Sequence, residues 1–168
     1  KYPEVVFLSE AFTRPKMMHR LAKLGFDQSY TYFTWRIEKW ELEEYFKELC
    51  QSPAKEYMRS MLFPTTPDIF PKHLHHAPPA AFKMRLMLAA TLSSLYGMYN
   101  GYELCENEPH PTKEELNFSE KYQYKVHYWD SPINIKDFIR RINWARQHFP
   151  ALQEYDNLVF HHCDNPQI

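Results

Sequence analysis

"VVFLSEAFTRPKMMHRLAKLGFDQSYTYFTWR", residues 5–36, decides the fold. Val5-Val6-Phe7-Leu8 is apolar on both faces, as a buried parallel strand is. A strand is expected over residues 4–9. Glu10 stands just beyond its end, and Thr13-Arg14-Pro15 turns the chain. Met17, Leu21 and Leu24 then share one face of a helix expected over residues 16–24, with Gly25 placed as a C-cap glycine. "QSYTYFT", rich in β-formers, predicts a second strand over residues 28–34.

The same unit recurs down the chain. Leu42, Tyr45, Phe46 and Leu49 fall at helical spacing, predicting a helix over 38–50. "RSMLF" predicts a third strand over 59–63, and Asp68 stands beyond it as Glu10 stands beyond the first. Pro78 and Pro79 suit the first turn of a helix over 80–92 whose inner face is Phe82, Leu86 and Ala89. A fourth strand over 94–99 leads to Asn100-Gly101-Tyr102-Glu103. A long polar loop, 106–130, follows; its aromatics argue against disorder, and loops of this length are usually functional. Ile135, Phe138, Ile139 and Ile142 predict a last helix over 134–148. Four strand–helix units imply an α/β fold with a parallel sheet. Four such units are half of an eight-unit barrel, in which catalytic groups come from the C-terminal ends of the strands. An open doubly wound sheet fits the same order, but the first turn lacks the Gly-rich phosphate loop of dinucleotide folds.

Composition narrows the function. The chain has 168 residues, 17% of them aromatic, and a net charge of −1 with His neutral. No basic stripe marks a nucleic-acid binder. No apolar run reaches the roughly 18 residues that a membrane span needs, and no signal-peptide pattern opens the chain. Cys50, Cys105 and Cys163 are far apart and odd in number, which fits a reducing, cytoplasmic compartment. Twelve Tyr and four Trp suit sugar stacking, although ordinary core packing uses the same residues.

Paired carboxylates at one sheet end suggest acid/base work on a polar bond, glycosyl transfer foremost. An Asp or Glu after a strand is also a common turn former or cap. His73, His75 and His76, and His161, His162 and Cys163, form local clusters without zinc spacing. They read as exposed loop residues, so neither a metal nor a cofactor is expected. No nucleophile elbow occurs.

The blocks "FPTTPDIF" (63–70), "AAFKMRLMLAATLSSLYGMYNGYELCE" (80–106), "SEKYQYKVHYWD" (119–130) and "INWARQHFPAL" (142–152) follow residues 5–36 in order. Together they make the chain similar to the maltose-1-phosphate maltosyltransferases of the α-amylase superfamily, from Val5 to about Leu152. The resemblance implies the second half of a (β/α)8 TIM barrel, strands five to eight, over residues 1–152. Residues 153–168 are then the start of a following β-sandwich. It implies transfer of maltosyl from α-maltose 1-phosphate to α-1,4-glucan, with Glu10 as acid/base and Asp68 as transition-state stabiliser. Lys121 and Tyr122 would contact the donor sugar. Thr65 stands where the family has Asn, which removes an amide at the site's edge. The nucleophilic Asp of the family lies on the preceding strand, so the chain is expected to be an artificial cut, inert alone. Its unpaired edges predict a homo-oligomer. The substrates implied are these sugars, with no nucleic acid and no membrane. Another amylase-type hydrolase, or a non-catalytic glucan-binding module, are the competing readings.

Overall fold

The computed structural model describes residues 2–165. Four strands form one parallel sheet in the order β1 (Leu8–Ser9), β2 (Gln28–Tyr30), β3 (Ser60–Leu62), β4 (Leu95–Tyr96). Helices α1 (Pro15–Lys23), α2 (Lys39–Gln51) and α3 (Pro79–Thr91) connect consecutive strands, and α4 (Lys136–His148) follows β4. The expected α/β class and strand–helix order are therefore present.

Local signals account for the helix ends. α1 opens on Pro15, whose missing N–H costs nothing in a first turn. It closes with Gly25 at φ +103°: the Gly25 N–H donates to the Ala22 carbonyl and the Phe26 N–H to that of Leu21. This pair of bonds satisfies the last-turn carbonyls, and a left-handed φ makes glycine the natural residue there. α2 opens on a capping box in which Glu41 accepts from the backbone N–H groups of Ile37 and Glu38. Its Tyr45, Phe46, Leu49 and Cys50 are buried. α3 buries the expected Phe82, Leu86 and Ala89, and also Arg85.

Register decides which strand residues share a face. Ser9, Ser29 and Ser60 pair across the sheet, and with Leu62 they are buried. That face lies beneath the cluster of Met18, Phe46, Leu49, Leu62 and Ala89. The other face carries Gln28, Tyr30, Met61 and Leu95, each only half-buried, and Leu8, which is exposed. A parallel sheet is ordinarily covered on both sides.

Two strands are shorter than the sequence suggests. β1 is confined to Leu8–Ser9, and Val5, Val6 and Phe7 are exposed. The apolar run does mark a strand, but at the sheet's edge, where β2 is its one partner among the described residues. β2 stops at Tyr30 because Tyr32–Trp35 tightens into a 3-10 turn. That turn drives Phe33 fully into the core, where the Arg85 guanidinium lies 3.7 Å from its ring centroid and donates to its carbonyl. α4 is amphipathic as expected but buries none of its residues; Phe138 and Ile139 half-cover a second cluster around Phe82 and Tyr102. Arg146 anchors it by donating to the Ser93 and Ser94 carbonyls at 3.2 and 2.5 Å.

Among the described residues, 153–165 form no strand. Leu158 and Phe160 pack beside α2, and the Lys39 ammonium donates to the Cys163 and Asn165 carbonyls at 2.9 and 3.0 Å. Residues 166–168, the end of the expected second domain, lie outside the described residues.

Candidate active site

Because every strand is parallel, the residues after each strand collect at one end of the sheet. Glu10 follows β1 directly and is exposed. Its neighbour is Tyr30 at the end of β2, whose phenol pKa is raised by burial and then by the Glu10 charge. Tyr30 stacks on Phe63, with ring centroids 5.1 Å apart. Phe12 sets its edge against Trp35 at 5.2 Å. Gly97, just past β4, completes the row: a Cβ there would lie 2.1 Å from the Phe63 ring. The rim is thus a floor of aromatic rings with one carboxylate at its β1 end.

Asp68 sits beyond β3, in a turn built by Thr66. The Thr66 hydroxyl accepts from the N–H groups of Asp68 (3.2 Å) and Ile69 (3.0 Å), while Thr66 and Ile69 exchange backbone bonds. This hydroxyl turn presents the Asp68 carboxylate outward. Lys121, from the long loop after β4, donates to it. The same ammonium donates to Glu115 at 3.0 Å, and the Tyr122 hydroxyl donates to the same Glu115 oxygen at 3.1 Å. These partners, Asp68 first and then Glu115, hold the Lys121 ammonium well above its ordinary pKa. Lys121 in turn holds the Glu115 carboxyl below the usual range. Three of the four expected site residues therefore meet. The Glu10 side chain makes no hydrogen bond or ion pair among the described residues.

A second polar knot fixes the same loop. His127 lies between Glu106 (2.9 Å from Nδ1) and Glu120 (2.7 Å from Nε2). Lys125 donates to Glu106 at 2.5 Å, and the Asn100 amide donates to Glu120 at 3.0 and 3.1 Å. Glu106, Glu115 and His127 were not legible as site residues, because their partners lie in a loop with no periodicity to pair them. The loop's aromatic content was the one available signal of order. Backbone bonds add to this order: the Phe70 N–H donates to the Glu114 carbonyl at 2.9 Å and the His76 N–H to that of Asn107 at 2.8 Å, beside an isolated bridge between Pro109 and Leu116.

Of the two histidine clusters, the first departs in part from the exposed-loop expectation, at His73 and His75. The 3-10 turn Lys72–Leu74 sinks Leu74 into the core and takes His73 with it, so burial pulls the His73 pKa down to about 4. His75 stacks on Phe70 at 5.3 Å. His161, His162 and Cys163 are exposed as expected. Among the described residues, no group of three His, Cys, Asp or Glu is placed to hold a metal ion. All three cysteines are free; burial pushes the Cys50 and Cys105 thiols up to about 11. No helix among the described residues is long and apolar enough to cross a membrane.

No family model matches the chain. Several curated proteins match over almost the whole of this chain. The chain is 54% identical, over 99% of its length, to the α-1,4-glucan:maltose-1-phosphate maltosyltransferase of Myxococcus xanthus, of which it covers 25%. It is 54% identical over its whole length to that of Rhodospirillum rubrum (24% of the relative) and 52% identical to that of Burkholderia pseudomallei (15%). The chain therefore spans about a quarter or less of these relatives.

Proposed function

This chain belongs with the maltosyltransferases as the counterpart of one segment of them, and on that premise we propose that it is the second half of a (β/α)8 catalytic barrel. The open face of Leu8, Gln28, Tyr30, Met61 and Leu95 supports this reading, since the missing half of a barrel would cover it. Residues 153–168 would lead into the next domain. The setting would be cytoplasmic.

The reaction is retaining transfer of maltosyl from α-maltose 1-phosphate to the non-reducing end of an α-1,4-glucan. Glu10 gives its proton to the departing phosphate oxygen as the bond from C1 to that oxygen breaks and C1 bonds to a carboxylate nucleophile. The acceptor 4-hydroxyl then attacks C1, expels that carboxylate and returns its proton to Glu10. The nucleophile is supplied by chain outside these residues, so the 168-residue chain alone is inert. Asp68 accepts hydrogen bonds from sugar hydroxyls as positive charge grows at the ring. Lys121 and Tyr122 hold the donor sugar at its edge.

The observation that carries the site is the meeting of Asp68, Lys121 and Tyr122 at the strand ends, Asp68 and Lys121 being 53 residues apart in sequence. Neither Asp68 nor Lys121 is deeply buried, as substrate contact requires. Phosphate release from α-maltose 1-phosphate in the presence of maltooligosaccharide, by the full-length protein, tests the function. Release that depends on the acceptor supports it. Hydrolysis of glucan without phosphate dependence favours a hydrolase instead.

A further inference from the structure

His127 is 7% exposed, yet both of its ring nitrogens face carboxylates. Ionised carboxylates only accept, so each nitrogen must carry a hydrogen and the ring is an imidazolium. The groups around it come from three places. Glu106 follows the turn after β4 and carries Lys125 on its second oxygen. Glu120 belongs to the donor-sugar segment and is also held by Asn100, whose amide nitrogen is 3.4 Å from His127 Nε2. The Trp129 ring covers His127 at 5.0 Å, and Tyr99 lies within the field of both carboxylates. Gly101 leaves the ring its room: at φ +91°, a Cβ would come within 2.9 Å of His127 Cε1.

We propose that His127 is a positioning residue, a charged clasp between Glu106 and Glu120 that holds Lys121 and Tyr122 in register with Asp68. The inference rests on the function proposed above. Glu120 immediately precedes Lys121, so the clasp fixes the segment from one side while Glu115 fixes it from the other. Without the cation, two carboxylates face each other across a buried gap. Burial opposes the charged ring, but the two carboxylates outweigh it, and the pKa is raised above its ordinary 6.5. The clasp is therefore complete below that value and is lost as pH climbs through the raised one.

The test uses the full-length protein. His127→Gln should raise the KM for α-maltose 1-phosphate by roughly tenfold or more, since small misplacements of binding groups are costly. His127→Arg, which restores a planar cation, should recover most of that loss. In the unsubstituted protein the donor KM should rise as pH passes the raised pKa; in His127→Arg it should stay flat. Imidazole nitrogen shifts should report a doubly protonated ring at neutral pH. A neutral ring, or a KM and pH profile unmoved by His127→Gln, overturns the clasp alone. Absence of transfer by the unsubstituted protein overturns the proposed function and the clasp with it.

Discussion

Lys121 bridges Asp68 and Glu115, so the loop after β4 is pinned to the turn after β3 at the point where the sugar site is proposed. The ammonium has two carboxylate partners, and the phenol of Tyr122 shares one of them. A donor sugar binding here would exchange hydrogen bonds with groups already arranged.

Lys121→Ala should raise the donor KM by about tenfold or more and lower the melting midpoint modestly, because it strips a partner from Glu115, whose side chain is only 11% exposed. Glu115→Gln should do the same more weakly and should speed protease cleavage within residues 106–130. Steady-state kinetics and limited proteolysis read the two effects. An unchanged KM in Lys121→Ala would remove this residue from the site.

Gly97→Ala should destabilise the protein by about 1–3 kcal/mol, the usual cost of forcing atoms into a packed site. The new methyl meets the Phe63 ring, which cannot retreat without leaving its stack on Tyr30. Phe63→Leu in the same protein should return part of the loss. Thermal melts of the two single variants and the double variant decide it, and additive losses would contradict the contact.

Arg85 is 2% exposed; it donates to the Arg36 carbonyl at 2.8 Å and to that of Phe33. Arg85→Met roughly keeps the volume but strips the Arg36 carbonyl of its donor, while the Phe33 carbonyl keeps the Arg36 N–H, and should cost about 1–3 kcal/mol in urea unfolding. The 3-10 turn at Tyr32–Trp35 should loosen with it, seen as faster amide exchange there. Unchanged stability would show that solvent or a neighbour satisfies the Arg36 carbonyl.

The strand–helix order was legible because each helix carries its own stripe and its own end signals: Pro15 and Gly25 for α1, the spacing of Leu42 to Leu49 for α2, Pro79 for α3. Glu10 and Asp68 were legible as carboxylates after strands. What the sequence hid is non-local. Whether Val5–Phe7 is covered depends on what lies across the sheet edge, which no local pattern encodes. "QSYTYFT" has strand propensity throughout, but burial of Phe33 against Arg85 bends its second half into a turn. The clasp of His127 joins residues separated by 21 and 7 positions within a loop that has no periodicity to read.

The 168-residue chain alone should self-associate. Val6 at 65% exposure, Phe7 and Leu8 line the β1 edge, and the sheet's second face is open. Sedimentation across a concentration series should show mass rising with concentration. A monomer at every concentration would count against the open half-barrel.

The most direct measurement of the central claim is phosphate release from α-maltose 1-phosphate by full-length protein carrying Glu10→Gln. Glutamine keeps the size and removes the transferable proton. The account predicts a folded protein whose rate falls by roughly 10²–10⁴-fold, the usual worth of a general acid/base. A rate equal to that of the unsubstituted protein would contradict it.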